Sequence, residues 1–122
     1  MSYTLPPLTI RPDSAFPILL KAREFDDNAE LVEAGPIDPV YDDLIFAIGE
    51  LDDDEIADLI ALIWLGRHDF MIDEWADALA AARDIGRTRA PLYVAGIPLV
   101  SDCLEDGMQM FGHSLKAYLD AA

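Results

Sequence analysis

His68 stands between Arg67 and Asp69 in the run Trp64-Leu65-Gly66-Arg67-His68-Asp69-Phe70. A histidine beside a carboxylate can move protons near neutral pH. General-base chemistry also needs a group to activate, and no serine, threonine or cysteine stands near His68 in the sequence; Ser101 and Cys103 could reach it only through the fold. Cys103 shares one helical turn with Asp102, Glu105 and Asp106, neighbours that disfavour a thiolate and argue against a nucleophile. His68 and His113 therefore read as surface histidines, and no catalytic residue is assigned.

Metal chemistry is equally poorly supported by spacing. His68, His113 and Cys103 form no C-x-x-C, H-x-x-H or H-E-x-x-H pattern. Asp52-Asp53-Asp54-Glu55 with Asp58 concentrates carboxylates but lacks the alternating ligands and the turn glycine of a calcium loop. No metal and no cofactor is expected. Gly86-Arg87-Thr88-Arg89 and Tyr93-Val94-Ala95-Gly96 lack the spacing and the lysine of a phosphate loop. Arg83, Arg87 and Arg89 make a basic spot that reads first as cations at a helix C-terminus, Arg83 and Arg87 above all, and second as an anion or acidic-peptide contact.

What remains is recognition. Trp64, Arg67, Phe70 and Trp75 are of types enriched in binding hot spots, and His68, Asp69 and Tyr93 complete the candidate set. The first reading is a non-enzymatic interaction or regulatory domain that contacts a protein partner or its own copy through this surface. A second is a small-molecule site or enzyme with a cleft near Arg67, His68, Asp69 and Tyr93. A third is an acidic mimic of nucleic acid, suggested by charge alone.

The 122 residues carry 24 acidic against 8 basic side chains, formally −16. Such a surface repels phosphate backbones, so direct nucleic-acid binding is not expected. An apolar content of 52% can fill one core and separates the chain from acidic disordered sequences. The longest apolar run, Leu59 to Leu65, is too short to span a bilayer, and no basic segment leads into an apolar one at the N-terminus. With a single cysteine, these features lead us to expect a cytoplasmic protein that does not engage membranes.

Residues 1–12, with Pro6, Pro7 and Pro12, read as an extended arm, and 13–122 as a single helical domain. Asp13 or Ser14 caps a first helix with Pro17 in its first turn and a face of Ile18, Ala22, Phe25, Ala29 and Val32, ending at Gly35-Pro36. Asp38-Pro39 opens a second helix that buries Tyr41, Leu44, Ile45 and Ile48. Asp52 and Glu55 have capping-box spacing, and the helix they start becomes apolar all round before Gly66, its expected C′ residue. Asp73 caps a fourth, with a stripe of Trp75, Ala78, Leu79 and Ala82. A single turn is expected at Leu92 to Ala95, and the last helix carries Leu104, Met108, Phe111, Leu115 and Tyr118, weakened at Gly107 and Gly112. The fold class is all-α: an irregular bundle of about five helices around a central apolar helix.

The chain resembles a bacterial family of small acidic helical domains of unknown function. The resemblance is carried by Lys21-Ala22-Arg23-Glu24-Phe25-Asp26, by the central Ala61-Leu62-Ile63-Trp64-Leu65-Gly66-Arg67-His68-Asp69-Phe70, and by Tyr93 through Gly96 to Pro98-Leu99. It covers about Asp13 to Tyr118. In that family the position of His68 is more often glycine. The resemblance implies a helical fold and a bacterial cytoplasmic origin, and no reaction.

Overall fold

A computed structural model describes residues 5–28 and 39–121, and its described residues form seven helices and no strand. They are α1 (Pro12–Asn28), α2 (Pro39–Gly49), α3 (Asp53–Gly66), α4 (Trp75–Ile85), α5 (Ala90–Ala95), α6 (Val100–Met110) and α7 (Leu115–Ala121), with a 3-10 turn over Ile72–Glu74. The expected bundle of about five helices becomes seven: the single turn expected at Leu92 is the short α5, and the last helix breaks around Gly112, one of its two expected weak points, whose φ is 84°.

The core is built on α3. Its start is the expected capping box: the Glu55 amide donates to Asp52 Oδ1 at 2.8 Å and the Asp52 amide to Glu55 Oε1 at 3.1 Å. From Ile56 to Gly66 every residue is buried, as an apolar cylinder must be when its neighbours are α6, α4 and α5. Helix α1 packs on α6 and α2, and α2 packs in turn on α5. Ring stacking of Phe16 on Tyr118, centroids 4.9 Å apart, fastens α7 to α1.

Helix α1 begins earlier than its acids suggest. Pro12 takes the first helical position, and the Arg11 carbonyl accepts from the Ser14 and Ala15 amides at 2.9 Å each. Pro17 therefore lies past the first turn, where its missing N–H leaves the Asp13 carbonyl without its usual helical donor. Ile18 and Ala22 are buried as expected; Ala29, Val32, Gly35-Pro36 and Asp38 lie outside the described residues. In α2, Leu44 and Ile48 are buried, and Tyr41 and Ile45 half-buried.

Two glycines act differently from the sequence expectation. Gly66 is not the C′ residue of α3; it is the last helical residue, pressed against the backbone of α6. A Cβ on Gly66 would overlap the Cys103 carbonyl oxygen, and one on Gly107 would overlap that of Leu62. Gly107 thus sits inside an unbroken helix because α3 and α6 cross with their main chains in contact, and the expected weak point falls at Gly112 alone.

Within the described part of the N-terminal arm, Thr9 and Ile10 are tied to α3. Asp58 is 3% exposed and its Oδ2 accepts the amides of Thr9, at 2.5 Å, and Ile10, at 2.9 Å. Ile10 is buried beside it. A carboxylate within an apolar helix therefore ties the arm to the core. Burial pushes the Asp58 carboxyl above its ordinary range, opposed by the two amides.

Candidate functional site

The end of α3 sets the local geometry. The His68 amide donates to the Leu65 carbonyl at 3.1 Å and the Asp69 amide to that of Trp64 at 2.9 Å. With Arg67 as the C-cap, these are the two bonds of a Schellman motif whose C′ residue is His68, at φ 68°. The same motif ends α6: Gly112 donates to Gln109 and His113 to Met108, with glycine in the left-handed position. At α3 a histidine occupies the conformation that glycine adopts freely.

This turn brings five of the seven candidate residues together. Trp64 is 8% exposed and its Nε1 donates to the Tyr93 hydroxyl at 2.8 Å, holding α5 against α3. Phe70 folds back on the Trp64 ring with centroids 5.7 Å apart. Arg67 closes onto Asp69, Nε and Nη2 both reaching Oδ2 at 2.8 and 2.6 Å. That bond, with a smaller contribution from Tyr93, holds the guanidinium above its ordinary pKa. Trp75 is elsewhere: its ring meets Phe111 edge-on at 4.8 Å, and its buried Nε1 has no partner among the described residues. His68, the seventh, is exposed and faces a different recess.

That recess is an apolar groove of about 420 Å³. Leu5 of the arm forms one side and Met110 at the end of α6 another. The floor and remaining wall come from Leu65 and the turn residues His68, Phe70, Met71 and Ile72. Met71 is 65% exposed, Leu5 44% and Met110 37%. From the sequence Met71 reads as folding back into the core with Phe70 and Ile72, which its exposure contradicts, and Leu5 and Met110 carry no signal; only the fold places arm, turn and helix end side by side. Arg67, Asp69 and Tyr93 do not line this groove, so the polar candidates do not converge with His68 on one cavity.

A second recess of about 300 Å³ lies between the start of α3 and the end of α4, with Ile56, Ala57 and Ala82 beneath Asp53, Arg83 and Arg87. Arg83 stands in the last turn at the C-terminal end of α4, as expected, and it also pairs across with Asp54 at 2.8 Å, while Arg87, past that helix, reaches Asp53 at 3.7 Å. Arg89 binds that helix end, donating to the carbonyls of Ile85 and Asp84 at 2.9 and 2.8 Å. The acids of the Asp52 to Asp58 run are thus engaged in capping, in ion pairs and in tying down the arm.

The Cys103 thiol is half-buried and pushed up, first by burial and then by Asp102 and Asp106, against an opposing effect of Arg67. Among the described residues no three His, Cys, Asp or Glu lie close enough together to hold a metal ion. None of their helices is long and apolar enough to cross a membrane.

Fold and site together define a small all-α domain with a main-chain crossing at its centre and an apolar groove at one end. The chain belongs to the family described as protein of unknown function DUF3775, which matches residues 41–113. The match spans the central motif and Tyr93 to Leu99, and Lys21 to Asp26 lie outside it. No curated protein and no solved structure matches the chain.

Proposed function

We propose that this chain is a non-enzymatic protein-interaction domain of the bacterial cytoplasm, which contacts its partner at the turn following α3. The observation that carries the reading is the groove walled by Leu5, Met71 and Met110, three exposed apolar side chains at one place on a surface rich in carboxylates. The polar groups nearby support it by being occupied: Arg67 is closed onto Asp69, and the Tyr93 hydroxyl accepts from Trp64. Trp64 and Trp75, both buried, serve the surface from beneath by fixing the turn and the helices that flank it.

The test is affinity capture from a native extract with the intact chain and with Met71→Gln, accompanied by the solution mass of each. A partner, or a doubled mass, that is lost in the folded variant supports the proposal. Identical capture and mass for the two proteins would overturn it.

A further inference from the structure

We infer that the groove receives a cationic amphipathic helix of a partner protein, one bulky apolar side chain entering between Leu5, Met71 and Met110 while its lysines and arginines meet the surrounding carboxylates. This rests on the interaction reading above and names the chemistry of the partner.

Charge comes first. Arg23 is paired with Asp102 and Glu105, Arg67 with Asp69, Arg83 with Asp54 and Arg87 with Asp53. Arg89 is spent on helix carbonyls. The internal cations are thus largely used, and a formal −16 remains to act on whatever approaches. Beside the groove, exposed Asp73 and Glu74 follow Ile72 directly, and exposed Asp106 stands one helical turn before Met110 on the same face of α6. A second copy of the chain, a nucleic acid and an anionic lipid surface would each bring like charge to this place.

Backbone chemistry comes next. The described residues contain no strand, so they offer no sheet edge to an extended peptide. A partner that satisfies its own main-chain hydrogen bonds, a helix, fits better. The lining is suited to it: methionine is unbranched and polarizable and moulds to differently shaped apolar groups, and the volume of about 420 Å³ is enough for a large anchoring side chain. Leu5 belongs to the arm, so the wall it forms depends on Asp58 holding Thr9 and Ile10.

The experiment titrates the intact protein with a labelled Leu/Lys peptide of about 20 residues, amphipathic when helical. A scrambled isomer of the same composition is the control for charge alone, at about 0.15 M salt. The amphipathic peptide is expected to bind at least about tenfold more tightly than the isomer, and Met71→Gln with Met110→Gln to remove that advantage. Met71 is 65% exposed, so Met71→Gln alone tests the groove without taking apart the core, and Leu5→Gln gives an independent check from the arm. Equal binding of the two peptides, or an advantage that survives both variants, overturns the proposal. So does a mass that doubles through Met71, which would make the occupant a second copy. If the peptides show no difference while Met71→Gln still abolishes capture from the extract, the interaction reading stands and the cationic helix falls.

Discussion

Gly66 lies against the main chain of Cys103: a Cβ placed on the glycine would come within 2.7 Å of the Cys103 carbonyl carbon. Gly107 repeats the relation from the other side, 2.8 Å from the carbonyl carbon of Leu62. Leu62 and Gly66 are one turn apart on α3, as Cys103 and Gly107 are on α6. The crossing is therefore set by backbone against backbone, with no side chain able to yield.

Gly66→Ala and Gly107→Ala are each expected to cost about 3 kcal/mol or more, the upper end of overpacking, because the obstructing atoms are main chain. Gly49 offers the contrast: nothing lies within 4 Å of its Cβ position, and Gly49→Ala should stabilise by up to about 1 kcal/mol through helix propensity. Urea unfolding of the three variants decides it. Equal midpoints for Gly66→Ala and the parent protein would show that the helices part freely.

His68→Gly should raise stability by about 1 kcal/mol, since a left-handed conformation costs a residue with a Cβ about 1–2 kcal/mol. The converse change at the matching position, Gly112→Ala, should lower it by a similar amount. Thermal melting would register an upward and a downward shift. A downward shift for His68→Gly would mean that the imidazole makes a contact worth more than the backbone cost.

Asp58 gives a prediction with a sign. Burial raises its folded pKa, so the fold favours the protonated form. That favourable contribution is complete below the ordinary carboxylate value, about 4, and is lost as pH rises through the raised one. Asp58→Asn keeps an oxygen for the Thr9 and Ile10 amides and stays neutral, so its stability relative to the parent protein should improve from about pH 4 to about pH 7. Asp58→Ala removes the acceptor and should cost about 1–3 kcal/mol at either pH. Chemical unfolding at both pH values checks this, and a constant difference for Asp58→Asn would show that the carboxylate does not titrate differently in the fold.

The two tryptophans should respond unequally to loss of their N–H. Trp64 donates to Tyr93, whereas Trp75 Nε1 is buried without a described partner. Trp64→Phe gives up ring volume and a hydrogen bond; Trp75→Phe gives up ring volume but relieves an unsatisfied donor. The Trp75 variant should therefore be the less damaging by at least about 1 kcal/mol, and Tyr93→Phe alone should cost about 1 kcal/mol. Equal losses for the two tryptophan variants would show that Trp75 has found a water.

Much of the helical plan was legible because local rules decide it. Asp52 and Glu55 announce α3 through a capping box that needs only residues three apart. Helix α3 does end at Gly66, but the reading of Gly66 as its C′ residue failed for an equally definite reason. Glycine serves two needs, a left-handed backbone and the absence of a side chain, and sequence cannot say which is being met. Here the first need falls two residues later on His68, and Gly66 meets the second against a helix distant in sequence.

The candidate site divided in the same way. The Trp64 to Phe70 run forms one turn, and its near neighbours Arg67 and Asp69 pair within it. Trp75, close in sequence, turned to Phe111, while Leu5 and Met110, remote from each other, came to line one groove. By itself the sequence determined the helical class, the α3 cap and the excess of carboxylate, since propensity, capping and charge are properties of residues and their near neighbours. The crossing at Gly66, the use of Arg83 and Arg87 across to α3, and the groove were decided by tertiary structure alone, because each consists of groups brought together from separate helices by burial of the core.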